Sequence, residues 1–255
     1  MVHIIVLHYK SKKDTKQCLE SLKKIDYPDF KVIVVDNDKD NRGFAGGNNY
    51  GIKKSNADYI LLLNNDTVVH KDFLKEMVKK AEQGYGIVGS KIYYHNSKKI
   101  WFEGGKVNWL RTKARHVKGK TDFITGCCML IKREVIDKIG LMDERYFLFF
   151  EDVDYCLRAR KKRYMCAIAD KAKIYHKVSK QTKEFSFKYI YYHFRNGLLL
   201  AKKNAFILVK LIAYFISFLI YFKQLIKSSS KWTKAIKLGI KDFYKGRFGD
   251  YENWY

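Results

Sequence analysis

The sequence predicts an α/β fold with a mostly parallel central sheet and helices on both faces. Three observations carry that expectation. Short uninterrupted apolar runs alternate with amphipathic helical stretches through the first two-thirds of the chain, and strands apolar on both faces belong to sheets covered on both sides. Two of these runs end in polar clusters, Asp36-Asn37 and Asn64-Asn65-Asp66, where open α/β sheets bind their ligands. The 255 residues are 47% hydrophobic and 16% aromatic, enough to build a core and to exclude intrinsic disorder.

Taken in order, His3–His8 is rich in β-formers, and Ser11–Lys24 reads as a helix with Cys18, Leu19, Leu22 and Ile25 on one face. Lys31–Val35 is an apolar strand delivering Asp36-Asn37. Gly43-Phe44-Ala45-Gly46-Gly47-Asn48-Asn49 opens a helix with small residues, so its backbone N–H groups can approach a pyrophosphate. It matches neither a P-loop nor a G-x-G-x-x-G turn, which excludes a standard ATPase or Rossmann dehydrogenase. Tyr59–Leu63 is the next strand, followed by a helix from about Lys71 to Glu82 and a strand at Gly86–Val88. Residues 100–125 read as an irregular connection. A short helix from Arg133, a helix over Glu151–Lys162 and a strand Ala167–Tyr175 ending at His176 complete the domain.

Charge separates two parts. Residues 1–154 carry 28 basic and 21 acidic side chains, a net +7, whereas residues 155–255 carry 23 and 5, a net +18. Phe206–Phe222 is apolar except for Lys210 and Ser217, and Lys203, Lys210, Ser217 and Gln224 recur every seven residues as one narrow polar stripe. Its length is at the lower limit for a membrane span of ~20 residues, and a single span would have to translocate the basic tail behind it. The expectation is a helix lying on an anionic membrane surface, with the protein peripheral on the cytoplasmic face of the cell membrane. This divides the chain into a catalytic domain, 1–200, and a basic helical region, 201–255. No nucleic-acid-binding module is recognisable, and no basic leader precedes the first strand. Five scattered cysteines without a C-x-x-C pair indicate a reducing compartment.

Two clusters carry chemistry. Asn64 and Asp66 offer oxygen ligands at i and i+2, a spacing suited to a hard divalent cation such as Mg²⁺ or Mn²⁺ that bridges to phosphate oxygens, and His176 is placed to complete the shell. Glu151-Asp152 follows Tyr146, Phe147, Phe149 and Phe150 and opens a helix. An aromatic-lined carboxylate with a neighbour to orient it serves as a general base.

The ordered set Val35-Asp36-Asn37, Gly43–Asn49, Leu63–Thr67, Thr125–Leu130, Phe150–Arg158 and Tyr175-His176-Lys177 resembles the family-two inverting glycosyltransferases of the GT-A fold, nearest their rhamnosyltransferase-like branch. The resemblance covers about residues 2–200. It implies a nucleotide-sugar donor bound at Asp36, Asn37, Gly46, Gly47, Asn48, Asn49, Asn65 and Gly126. It further implies a divalent metal on Asp66, Asn64 and His176, Asp152 as catalytic base with Glu151 beside it, and a glycan or lipid-linked acceptor. Two departures are visible. Asn64 stands where the family's D-x-D motif has its first Asp, and only five residues, 38–42, separate Asp36-Asn37 from Gly43. A parallel crossover needs a dozen or more residues, so the helix and strand that the family usually places there are missing. A sugar nucleotidyltransferase on a similar fold and a basic membrane- or nucleic-acid-binding module are the alternative readings.

Overall fold

The structure, a computed structural model, describes residues 1–178, 186–227 and 230–254. The chain runs β1 (Val2–His8), α1 (Lys12–Leu22), β2 (Phe30–Asp36), α2 (Gly43–Lys53), β3 (Tyr59–Asn64), β4 (Thr67–Val69), α3 (Phe73–Glu82), β5 (Ile87–Tyr94), β6 (Ile100–Phe102), β7 (Gly105–Asn108), β8 (Lys113–His116), β9 (Cys128–Lys132), α4 (Arg133–Ile139), α5 (Glu151–Lys161), β10 (Cys166–His176), α6 (Phe187–Asn204), α7 (Ile207–Ile226) and α8 (Lys231–Tyr244).

The central sheet has the order β2-β1-β3-β9-β5-β10-β4, with β6 paired to β5. Parallel ladders join β1 to β2 and β3, and β5 to β10. Antiparallel pairing of β9 to both β3 and β5 leaves β1, β2, β3, β5 and β10 pointing one way, so the sheet is mostly parallel as expected. Their carboxyl ends lie along one edge, and Asn64 N–H donates to Cys127 O there, which brings the turn before β9 to the same edge.

Serine caps start three helices: Ser11 accepts from Asp14 N–H, Ser186 from Tyr189 N–H and Ser230 from Thr233 N–H. The apolar strands β1, β3 and β9 form the middle of the core, with Cys18 and Leu22 of α1 and Phe73, Leu74, Met77 and Ala81 of α3 packed against it. All five cysteines are buried free thiols.

Two expectations need correcting. The apolar run of β2 is not covered on both faces: only Val35 is buried and Val34 is half exposed. β2 is the edge strand, and the short 38–42 segment turns straight into α2 without supplying another strand to cover it. Residues 100–125 are also more regular than expected, holding β6 and the two-stranded β7–β8 ribbon. Strands of three and four residues are too short to announce themselves by periodicity.

The C-terminal helices pack on the domain rather than trailing from it. The boundary expected at residue 200 falls inside α6. Gly239 lets α8 sit directly on α6, where a Cβ would come within 2.6 Å of Tyr191 O. On α7 the stripe anticipated as polar faces inward. Ala213, Ser217 and Gln224 are buried, and Ser217 Oγ lies 2.8 Å from Tyr244 Oη of α8. The opposite face, including Leu211, Phe215, Phe218, Phe222 and Leu225, is exposed.

Candidate active site

The carboxyl edge of the sheet gathers most of the expected residues. Antiparallel pairing sets His176 of β10 opposite Thr67 of β4, so its ring reaches Asp66 in the preceding turn. His176 Nε2 lies 3.1 Å from Asp66 Oδ1, and both side chains are largely buried. Neither Asp66 Oδ1 nor His176 Nδ1 has a hydrogen-bond partner among the described residues. The edge of Trp101 fixes the ring from the side, at 4.5 Å between centroids. A buried carboxylate oxygen without a hydrogen bond and an imidazole nitrogen 3.1 Å from it are ligand atoms of the types that a divalent cation takes. Asn64, two residues earlier, is half-buried, and its carbonyl accepts from Thr67 Oγ1 at 2.7 Å.

Asn65 turns away from this pair. Its amide donates to Thr15 Oγ1 at 2.9 Å, which in turn lies 2.6 Å from His8 Nδ1. His8 Nε2 is 3.3 Å from Asp38 Oδ2, and Asp38 N–H donates to Asp36 Oδ1. His8, Asp36 and Asp38 thereby form a second group of possible ligand atoms, all within 4.8 Å of one another. Sequence reasoning named Asp36 and missed His8 and Asp38. The signal was available: β1 and β2 are parallel neighbours, and in register His8 stands opposite Asp36.

The short segment 38–42 is held by Asn37. This buried amide accepts from Arg42 N–H and donates to Gly43 O. The small residues of α2 serve close packing: a Cβ on Gly47 would come within 2.5 Å of Leu7 Cδ1 and one on Gly51 within 2.5 Å of Ile5 Cγ2. Gly46 looks instead towards Arg42 and Glu144. Asn48 donates to Phe44 O, and Asn49 is bound both ways to Met142, as donor to its carbonyl and acceptor from its N–H. The structure therefore places Asn48 and Asn49 in α2's own scaffolding and in the loop before α5.

That loop carries the carboxylate pair. Asp152 Oδ2 accepts from Gly126 N–H at 2.9 Å, and its Oδ1 accepts from Val153 N–H. Gly126 has no room for a side chain, because a Cβ would meet the Phe44 ring at 2.6 Å and Asp152 Cβ at 3.7 Å. Glu151 is buried with Oε2 unpartnered among the described residues. Burial raises both acids above the usual carboxylate range, Glu151 further because Asp152's charge adds to it. The turn before β9 ties the two groups together: Gly126 N–H donates to Asp152, and the next carbonyl, Cys127 O, accepts from Asn64 N–H, two residues before Asp66.

The next acid has a different task. Asp154 is completely buried and takes charge-assisted bonds from Arg158 Nε (3.0 Å), Lys203 Nζ (2.8 Å) and Asn204 Nδ2 (2.7 Å). It locks α5 to the end of α6. Lys203 also reaches Asp143, whose carboxyl is held well below the usual range: burial opposes ionisation, and the bonds from Arg145 and Lys203 outweigh it. Asp154→Ala is expected to destabilise the fold by about 3–5 kcal/mol, since it leaves Arg158 partly buried without its counter-charge and Lys203 with Asp143 alone. Equilibrium urea unfolding reads this directly; a loss under 1 kcal/mol would show the network to be dispensable.

Similarity to known proteins places the chain by family and fold. The family described as glycosyltransferase-like family 2 matches residues 1–197. The chain is 27% identical over 233 residues to the low-salt glycan biosynthesis hexosyltransferase Agl10 of Haloferax volcanii, covering 77% of this chain and 74% of that one. It is 24% identical over 181 residues to the dTDP-rhamnosyl transferase RfbF of Shigella flexneri, covering 64% and 61%. Among solved structures it resembles the mannosyltransferase PcManGT of Pyrobaculum calidifontis in complex with GDP-Man and Mn²⁺, with a TM-score of 0.59 at 13% identity over 96% of this chain and 87% of that one. It also resembles TarS of S. aureus in complex with UDP-GlcNAc, with a TM-score of 0.57 at 16% identity over 97% and 83%. At such identities these two likenesses speak for the GT-A fold.

Proposed function

The chain belongs to glycosyltransferase-like family 2, whose members use nucleotide sugars, and from that premise we propose an inverting transfer to a lipid-linked or cell-surface glycan. The observation that carries the reading is that one turn, Gly126-Cys127, bonds both to Asp152 and to the 64–66 triplet whose Asp66 meets His176. Asp152 takes the proton from the acceptor hydroxyl. The acceptor oxygen bonds to the anomeric carbon as the carbon–oxygen bond to the diphosphate breaks, and the nucleoside diphosphate leaves from the opposite face. Gly126, packed against the Phe44 ring, holds Asp152 by its N–H. Asp36, with Asn37 shaping the turn behind it, meets the nucleoside, and the first turn of α2, from Gly43, borders the donor pocket with Gly46–Asn49 behind it as its packing. Asp66 and His176, with Asn64 at the rim, would hold the divalent cation, which supplies neutralising charge for the diphosphate.

The Haloferax volcanii relative is a glycan biosynthesis hexosyltransferase, which supports a glycan acceptor. The donor site is tested by screening nucleotide sugars for thermal stabilisation with Mn²⁺ or Mg²⁺, then following the best one by product release and anomeric configuration. Free nucleoside diphosphate with inverted configuration is expected. Pyrophosphate release would mean a nucleotidyltransferase instead, and retained configuration would remove the single displacement.

The exposed face of α7 supports work at a membrane surface. Its inward stripe is already occupied by α8, whereas Phe215 is 63% and Ile226 89% exposed. Exposed lysines 223, 227, 231, 234 and 241 follow along the end of α7 and on α8. A helix with one face bound to protein and the other apolar lies in an anionic interface rather than crossing it. Residues 1–200 are thus the catalytic part and 201–255 the membrane-facing part, with α6 shared between them. Replacing Phe215, Phe218 and Phe222 together by Ser is expected to abolish co-flotation with anionic liposomes, leaving the melting temperature and transfer to a soluble acceptor unchanged. Undiminished flotation would refute the surface.

A further inference from the structure

The loop that delivers Asp152 is strained and is held from α6. Phe147, Phe149 and Phe150 have φ of 59°, 68° and 75°, the left-handed region that bulky side chains avoid. Nothing in these residues favours such a conformation, so the surroundings must impose it. The Asn196 amide nitrogen donates to three loop carbonyls, Tyr146 O at 2.9 Å, Leu148 O at 2.8 Å and Phe149 O at 3.0 Å. Arg195, completely buried, sends Nη2 to Arg145 O and Tyr146 O and Nη1 to Gly249 O, while its Nε is bonded to Asn196 Oδ1. On the loop's other side Phe44 N–H donates to Phe147 O at 2.7 Å.

We propose that Arg195 and Asn196 are positioning residues for transfer: they clamp residues 145–150 in the strained form that aims the Asp152 carboxylate. This rests on the reading of Asp152 as the base. Phe149 O, the last clamped carbonyl, lies three residues before Asp152, and Phe150 is the N-cap of α5. Relaxation of φ at 149 and 150 turns the first turn of α5 and moves the carboxylate off the acceptor. Because α6 also packs on α8, the C-terminal helices take part in shaping the catalytic loop through Gly249 and this clamp.

The test is steady-state kinetics of Asn196→Ala beside Asp152→Asn. Displacement of a catalytic group by about 1 Å costs on the order of 10²-fold, so kcat is expected to fall about that far. The donor KM and the stabilisation by nucleotide should stay within about twofold. A role confined to stability predicts the reverse, a lower melting temperature with kcat intact at temperatures where the variant is folded. Arg195→Lys keeps the charge and loses the fork, and it is expected to fall between wild type and Asn196→Ala. If Asn196→Ala does not fold, Arg195→Lys decides by the same split. An unchanged kcat in a folded clamp variant, with Asp152→Asn inactive, overturns the clamp alone. An active Asp152→Asn overturns the base and the clamp's role with it.

Discussion

Asp152→Asn lowers turnover by about 10²- to 10⁴-fold, the range of a general base, with the fold and donor binding retained. The substitution is isosteric, and the side-chain oxygen still accepts from Gly126 N–H, so the sugar pocket keeps its wall. The two acids also make opposite predictions with pH. Burial raises Asp152, so the acid limb of its rate profile lies above the ~3.9 of an ordinary Asp carboxyl. Turnover falls as pH drops through that raised value. Glu151 is raised further by Asp152's charge and remains the protonated member as Asp152 ionises. Glu151→Gln is therefore expected to retain most turnover and to leave the acid limb in place. For stability the sign is reversed. A folded state that holds its protons more tightly than the unfolded chain is favoured below the ordinary carboxylate range and loses that advantage as pH rises through the raised values. Both amide variants should thus melt no lower than wild type at pH 7 to 8. Full turnover in Asp152→Asn, or its collapse in Glu151→Gln alone, would exchange the roles of the two acids.

Legibility of this site followed the chemistry of the carboxyl edge. Asp66, His176, Gly126 and Asp152 could be singled out because strand ends, a small residue and an acid pair leave local marks, and the parallel sheet then brings them together. Asn48 and Asn49 show the opposite case. Polar residues behind a glycine-rich turn suggest ligand contact, but their amides are spent on Phe44 O and on Met142 at a separation no local pattern reveals. Arg195 and Asn196 were invisible for the same reason. On the sequence they lie in an ordinary amphipathic helix, and their meaning comes from carbonyls about fifty residues earlier. The stripe on α7 was correctly periodic. Periodicity fixes which residues share a face, however, and only packing says that Ser217 and Gln224 turn inward, Ser217 onto Tyr244 of α8.

Removal of Asp66 is the other large effect, and its cleanest readout is binding rather than rate. With Mn²⁺ present, a nucleoside diphosphate at about 100 times its Kd should stabilise the native chain by roughly 2.7 kcal/mol, a shift of roughly 5–10 °C for a protein of this size. Asp66→Ala is expected to reduce that shift to what the nucleotide gives in EDTA. The reason lies in the donor set. Asp66 is the only carboxylate in the triplet 64–66, and its Oδ1, which has no hydrogen-bond partner among the described residues, lies 3.1 Å from His176 Nε2. With Asn64 in place of a second acid, the site has one negative charge fewer to offset the cation. Asn64→Asp adds that charge at i and i+2 on one turn, so it should tighten Mn²⁺ binding and lower the metal concentration needed for half-maximal stabilisation. Asn64→Asp acts through the metal only if Asp66 already holds it, and in the Asp66→Ala background the gain should largely vanish. A wild-type shift equally large in EDTA and in Mn²⁺ would place the diphosphate on the α2 N-terminus and nearby basic side chains alone, with Asp66 and His176 left as a buried ion pair.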